Sequence, residues 1–239
     1  MIISTKAIVI SKIKYRDNDL IVKCYTASKG ILSFLIKGTF SSKKGKLKPA
    51  YFQPLTMLNM EIDFKENREL HYIKVVRINY NYDSLHTEIY KSAVAIFLSE
   101  VLVMVLKEEE PNQDLFLFIE TALLMFDSID SNPFFHYQFL MRLTRYIGFS
   151  PDLSNPNYPF FNLQSGRYES FSSGNYCISG DKLKLFMTTL GMEFDKSKGE
   201  LLNSSQKQQL LEMILLYYKL HLQGFKLPKS IVILNQVFN

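Results

Sequence analysis

The chain has 239 residues, of which 47% are hydrophobic, and a formal net charge of +5. A chain of this length holds one large or two modest domains, and its apolar content excludes a wholly disordered protein. Two cysteines, Cys24 and Cys177, exclude a disulfide framework and indicate a reducing compartment. The most apolar run, residues 93–106, is interrupted by Ser99 and Glu100 and predicts a buried helix and no membrane span.

The positive charge is concentrated at the beginning of the chain. Residues 1–49 carry eleven lysines and arginines against two acids, whereas residues 81–239 carry thirteen bases against seventeen acids. This segregation predicts one domain that meets an anion and another with a different role. The most basic stretch, residues 37–49, holds five lysines and no acid. Such a loop on a rigid sheet indicates nucleic-acid binding, and a solvated surface loop is the alternative.

Five short strands are predicted in the first 80 residues. They cover residues 7–10, 20–26, 31–36, 55–62 and 70–78, with turn signals between them. This spacing favours a small barrel. An OB-fold with a basic connection fits the pattern, and an SH3-like barrel would give a similar one.

A helical period begins near residue 84. Helices are predicted at residues 84–107, 112–129, 133–146, 181–190, 206–222 and 230–237, with Ser204 or Ser205 as the cap of the fifth. Prolines and glycines interrupt the pattern at residues 149–180, where a small hairpin is predicted. The predicted fold class is α+β: an N-terminal five-stranded OB-fold barrel, residues 1–80, followed by an all-helical C-terminal domain, residues 81–239, with a small irregular insertion at 149–180.

No motif in the sequence indicates catalysis. There is no glycine-rich phosphate loop, no Gly-x-Ser-x-Gly and no His-Glu-x-x-His. Asp17 and Asp19 are the candidate acids for a nuclease on the basic domain, but in a turn they are better explained as turn formers or ion-pair partners. Two separate cysteines and four dispersed histidines offer no ligand spacing for zinc. We therefore predict no catalytic residue, no metal and no cofactor.

Two groups of cations are the predicted DNA contacts. Lys12, Lys14 and Arg16 alternate along a strand, so we expect them to share one face. The second group lies in the basic loop. The complete predicted set is Lys12, Lys14, Arg16, Lys37, Lys43, Lys44, Lys46 and Lys48. Nearby aromatic residues, namely Tyr15, Phe40, Tyr51 and Phe52, either stack on bases or pack in the barrel.

The order of short motifs along the chain resembles the RecO family of bacterial recombination mediators. In the N-terminal part the similarity covers residues 7–10, 18–22, Thr26, Gly30, Lys37-Gly38, Lys46-Leu47 and residues 53–55. In the C-terminal part it covers residues 142–153, 217–221, Gly224-Phe225 and Lys229-Ser230. The resemblance implies an OB-fold and a helical domain that bind single- and double-stranded DNA and anneal complementary strands. It further implies cooperation with RecR to load RecA on DNA coated by single-stranded DNA-binding protein.

The resemblance also implies contact with the acidic C-terminal tail of single-stranded DNA-binding protein. Arg142, Arg145, Lys226 and Lys229 are predicted for this contact because they flank apolar helices. Ordinary surface charge is the alternative. We expect a cytoplasmic, nucleoid-associated protein. The competing functional class is a protein-interaction adaptor whose basic barrel binds an acidic partner and no DNA.

The sequence departs from the family pattern in one place. Many members carry a Cys-x-x-Cys zinc ribbon after the third helix, but the corresponding stretch, residues 156–161, contains no cysteine. We therefore expect the irregular insertion to stand in place of a zinc ribbon and to be held by its aromatic residues.

Overall fold

The structure is a computed structural model that describes residues 1–39, 47–106, 110–130, 132–190 and 202–238. The strands are β1 (Ile2–Tyr15), β2 (Asp19–Thr26), β3 (Gly30–Ile36), β4 (Met57–Asp63), β5 (Leu70–Ile78), β6 (Phe160–Asn162), β7 (Arg167–Glu169) and β8 (Cys177–Ser179). The helices are α1 (Ile89–Val105), α2 (Gln113–Ser128), α3 (Phe135–Tyr146), α4 (Gly180–Met187), α5 (Ser204–His221) and α6 (Ile231–Phe238). The chain forms two compact units, one of residues 1–128 with 228–234 and one of residues 129–227 with 235–239.

The first five strands form a closed barrel in the order β1-β2-β3-β5-β4. Buried and half-buried residues alternate along the whole of β3, because one face of the strand fills the barrel. Val9, Val22, Phe34 and Ile62 are among the fully buried residues of that core. A closed five-stranded barrel followed by helices confirms the predicted fold class. The first strand is longer than predicted.

The first compact unit extends past the barrel because one polar cluster fixes the following segment. The Asp127 carboxylate accepts the backbone N–H groups of Asp83, Ser84 and Leu85 at 3.0, 2.9 and 2.8 Å. Lys91, of which only 1% is exposed, donates to Ser84 Oγ at 2.6 Å and to the Asp127 carbonyl at 3.0 Å. This turn delays the start of α1 to Ile89. The domain boundary after residue 80 stays a prediction.

The C-terminal helix begins in the first unit. Glu100 of α1 accepts hydrogen bonds from the backbone N–H and the hydroxyl of Ser230, each at 3.0 Å. Ser230 is buried directly before α6, so the carboxylate lies at the positive end of that helix.

The second unit contains α3, α4, α5 and a three-stranded sheet in the order β7-β6-β8. The predicted hairpin corresponds to β6 and β7, whereas β8 was not predicted. The cap of α5 is Asn203, so the prediction of Ser204 or Ser205 was wrong. Asn203 Oδ1 accepts the Gln206 N–H at 2.9 Å while Gln206 Oε1 accepts the Asn203 N–H at 3.0 Å, a reciprocal pair that a serine one residue later cannot make.

Aromatic residues of α5 hold the segment that was predicted to be irregular. Tyr217 donates its hydroxyl to the Phe149 carbonyl at 2.8 Å. The His221 ring stacks on the Phe149 ring at 5.3 Å and 5°, and its Nε2 lies 3.0 Å from the Leu163 carbonyl. Phe161 is fully buried beside Phe186. This segment is thus anchored by side chains that come from a distant helix.

Candidate nucleic-acid interface

One end of the barrel collects several of the predicted DNA-binding cations. Lys14 of β1 pairs with Leu20 of β2, and Leu20 pairs with Ile36 of β3, so the three residues form one row across the sheet. Two inter-strand steps make this row about 10 Å wide. Lys37 follows Ile36 directly. We call Lys12, Lys14, Arg16 and Lys37 the basic rim.

A β-bulge explains why lysines stand at this end of β1. The register between β1 and β2 shifts between Val9 and Ser11, after which Lys12 is opposite Val22 and Lys14 is opposite Leu20. Both partners are buried, and residues directly opposite each other in an antiparallel pair lie on the same face of the sheet. Lys12 and Lys14 therefore lie on the core-facing side of β1, at the end of the core. Partial burial lowers the pKa of Lys12. Their side chains are exposed at the barrel end.

Arg16 differs from the two lysines. It lies in the turn after β1 with a φ of 53°, so the predicted strand face ends at Tyr15. Its guanidinium lies 5.2 Å from the centre of the Tyr15 ring. The arginine is therefore placed at the rim by the turn and by stacking on its neighbour.

The start of the basic loop is fixed by Asp19. Its Oδ1 accepts the backbone N–H of Gly38 at 2.9 Å, and Gly38 has a φ of 67°, which favours glycine. The Thr39 hydroxyl donates to the Ile36 carbonyl at 3.2 Å. Asp19 thus has a structural contact that explains an acid within this basic end.

The far end of the basic loop is also anchored. Lys48 is exposed and precedes a short 3₁₀ helix, Pro49–Phe52. Phe52 is fully buried in the barrel core, with Leu47 and Tyr51 packed against it. Phe52 is therefore a core residue and no candidate for base stacking. Phe40, Lys43, Lys44 and Lys46 lie outside the described residues.

Two residues that sequence reasoning missed complete the surface beside Lys37. Tyr72 on β5 has the Lys37 ammonium 5.5 Å and the Arg68 guanidinium 5.2 Å from its ring centre. Arg68 also forms an ion pair with Asp63 at 3.3 Å. Burial opposes ionisation of Asp63, but the hydrogen bond and charge of Arg68 hold its pKa below the ordinary value. Alternation with Ile73, which is half-buried and packs against the core, could have shown that Tyr72 faces outward.

A groove of about 880 Å³ lies beside β2, β3 and the β4–β5 turn within the first unit. In the described part of the chain, its cations are Lys23, Lys29 and Arg68, and its acids are Glu66, Glu69 and Glu110. His71 also lines it, stacked 5.1 Å from the Phe64 ring, and burial together with the Arg68 charge lowers the pKa of this histidine. The groove carries both signs of charge, unlike the basic rim.

The cations predicted for the partner tail are separated between the units. Arg142 and Arg145 lie on α3, and Lys226 follows α5; all three belong to the second unit. Lys229 belongs to the first unit and is exposed beside Ser230. Arg145 and Lys226 are exposed, whereas Arg142 is half-buried.

The small sheet of the second unit has a polar centre. Asn162 and Ser165 donate to Glu169 Oε1 at 3.0 and 3.1 Å, and Cys177 Sγ donates to Oε2 at 3.6 Å. Ser173 also donates to Glu169, and this bond is the main reason that the pKa of the carboxyl is lowered. One thiol and one carboxylate among amide and hydroxyl groups do not fit a structural zinc site. Across the described part of the chain, no three His, Cys, Asp or Glu side chains are grouped to hold a metal ion.

The comparisons with known proteins cover the whole chain. The family described as Recombination protein O N terminal matches residues 1–82, and Recombination protein O C terminal matches residues 86–231. The proteins named DNA repair protein RecO from Christiangramia forsetii and Flavobacterium psychrophilum are each 42% identical, over 238 and 239 residues. The protein of that name from Flavobacterium johnsoniae is 39% identical, and each match covers 100% of both chains. In the ranges that the structure describes, no helix has the length and apolar character needed to cross a membrane.

Proposed function

The chain belongs to the RecO family of DNA repair proteins, and we propose that it binds single- and double-stranded DNA through the basic rim of its barrel. The observation that carries this proposal is the gathering of Lys12, Lys14 and Lys37 at one barrel end by the register of β1, β2 and β3. Lysines neutralise phosphate as point charges and carry little base information, so we expect binding without sequence preference.

Membership of the RecO family supports a mediator role. We propose that the protein anneals complementary strands and works with RecR to load RecA on DNA coated by single-stranded DNA-binding protein, in the cytoplasm at the nucleoid. These steps need binding and exchange of partners, so we assign no catalytic residue to them. Arg142, Arg145, Lys226 and Lys229 remain the proposed contacts for the acidic tail. Alanine at Arg142 and Arg145 should weaken binding of a labelled tail peptide, and unchanged affinity would remove α3 from that contact.

Salt dependence of DNA binding tests the rim. A variant with Lys12, Lys14 and Lys37 changed to alanine should bind a short single strand more weakly. The slope of log K against log salt should fall by about 0.7 for each lost phosphate contact, or about 2 in total. The measurement is a fluorescence anisotropy titration at several salt concentrations.

A matched variant controls for net charge. Lys182, Lys184 and Lys219 are exposed lysines of the second unit, and changing all three to alanine removes the same charge. We expect its salt slope to stay close to that of the unchanged protein. Equal slopes for the two triple variants would mean that the rim makes no specific phosphate contact.

The mixed-charge groove supports a second candidate, a protein-interaction adaptor. Among the described residues, its three cations and three acids fit a protein segment of both charges better than a polyanion. A gel shift with a short single-stranded oligonucleotide, with and without RecR, separates the two. A shift at low salt without RecR supports the DNA-binding role, and no shift in either case supports the adaptor.

A further inference from the structure

Tyr72 has a position that the phosphate contacts do not explain. It follows His71, whose pairing with Phe34 is the last step of the short parallel ladder between β3 and β5. Its neighbour Ile73 packs against the barrel core, so Tyr72 lies on the outer face, with 37% of its surface exposed. An exposed aromatic ring thus stands where Lys37 leaves the sheet.

The two cations over this ring are held differently. Arg68 is fixed by its ion pair with Asp63 at 3.3 Å. Lys37 is exposed. Among the described residues, no carboxylate oxygen lies within 4.0 Å of its ammonium nitrogen, so it forms no salt bridge with them. When a phosphate approaches, Lys37 can therefore turn from the ring to the phosphate, while Arg68 stays in place.

The relative strengths favour a base over the lysine on this ring. An exposed cation–π contact changes an equilibrium by roughly two- to fivefold. Stacking of one base on an aromatic side chain changes it by roughly 5- to 150-fold. A base with its phosphate near Lys37 therefore gains more from the ring than the lysine loses.

We propose that Tyr72 is the platform on which one unpaired base of a bound single strand stacks, with Lys37 and Arg68 flanking it. The inference depends on the proposed DNA-binding function and deepens it, because stacking needs an unpaired base. Tyr72 would then favour single strands, whereas Lys12 and Lys14 serve single strands and duplexes alike.

The sequence contains no tryptophan, which allows a direct test. Tyr72→Trp places a single fluorophore at the proposed platform. Its emission should be quenched on titration with an unlabelled oligothymidine and stay nearly unchanged with a blunt duplex. Tyr158→Trp is the matched control, because Tyr158 is 41% exposed and lies in the second unit. Its emission should not respond to either DNA.

Affinity measurements with Tyr72→Ala and Tyr72→Phe complete the test. Alanine should weaken single-strand binding by roughly 5- to 150-fold and leave duplex binding within about twofold, while phenylalanine keeps the stacking face. Full single-strand binding with unquenched emission from Tyr72→Trp would overturn the stacking inference alone. If the wild-type protein binds neither the single strand nor the duplex at low salt, the proposed function is overturned, and the stacking inference with it.

Discussion

The barrel and the small sheet of the second unit are both β structures, but they are held by different interactions. In the barrel, strands of 7 to 14 residues pair along their backbones around an apolar core. In the small sheet, strands of three residues each make only short ladders. Glu169 of β7 accepts hydrogen bonds within this sheet, and His221 of α5 contacts the Leu163 carbonyl directly after β6. Long ladders hold the barrel through its own strands, whereas a sheet this short also depends on contacts from elsewhere in the chain.

The largest expected effect breaks the contact between the small sheet and α5. Gly166 has a φ of 69°, and a Cβ there would lie 2.8 Å from the Tyr217 hydroxyl. Gly166→Ala should therefore lower the free energy of unfolding of the second unit by roughly 3 kcal/mol, from backbone strain and displacement of Tyr217. Hydrogen exchange, which resolves stability by region, should show the loss in α5 and not in the barrel.

Gly180 is the matched control for this substitution. Its φ is 55°, but a Cβ there would meet nothing within 4 Å. Gly180→Ala should cost about 1 kcal/mol, the backbone part alone. Equal losses for the two variants would show that the Tyr217 contact contributes nothing.

The second expected effect is a pH dependence of the second unit. Burial, with the nearby Lys207 charge, lowers the pKa of His136 to about 3. Below the ordinary histidine pKa of about 6.5, His136 binds a proton in the unfolded chain but stays neutral in the folded chain. The free energy of unfolding therefore falls as the pH falls. The loss should reach about 2 kcal/mol at pH 5, at up to about 1.4 kcal/mol per pH unit. Denaturant unfolding at pH 7 and pH 5 measures it.

A non-titrating ring isolates the contribution of His136. In His136→Phe the difference in unfolding free energy between pH 7 and pH 5 should shrink. This holds even where the substitution lowers the stability at both pH values. His71→Phe in the barrel is the comparison, because His71 has its pKa lowered by burial and by Arg68 as well. If His136→Phe keeps the full pH difference, the protonation of His136 is not its source.

The third effect concerns the polar centre of the small sheet. Asn162, Ser165 and Ser173 donate hydrogen bonds to the two carboxylate oxygens of Glu169. In Glu169→Gln an NH₂ group replaces one of these oxygens, so at least one donor loses its acceptor. The site is partly exposed, and we expect a loss of only about 1 kcal/mol in the second unit. Glu66→Gln, an exposed change in the β4–β5 turn, should cost nothing measurable. Thermal unfolding followed by circular dichroism compares the two.

The same contrast explains what the sequence could predict. The predicted strands at residues 20–26 and 70–78 agree with β2 and β5 to within one residue, because strand-forming runs bounded by turn signals are a local pattern. The three-residue strand β8 has too few residues to show any period. The bulge after Val9 depends on the exact register between β1 and β2, and the approach of Lys37 to Tyr72 joins residues that are far apart in the sequence. Lys37 could thus be proposed from charge, but the proximity of Tyr72 to it could not.

The smallest expected effect tests the anchored start of the basic loop. Asp19 Oδ1 accepts the Gly38 N–H at 2.9 Å, whereas Asp17 in the same turn is exposed and has no hydrogen bond to a described residue. Because Asp19 is only half-buried, Asp19→Ala should lower the stability of the barrel by about 0.5 kcal/mol, and Asp17→Ala should leave it unchanged. Both variants remove one negative charge beside the basic rim, so simple electrostatics would strengthen DNA binding equally. If Asp19 also holds Lys37 in place, Asp19→Ala should gain less affinity for a single strand than Asp17→Ala. Equal gains at several salt concentrations would show that the backbone contact does not position Lys37 for DNA.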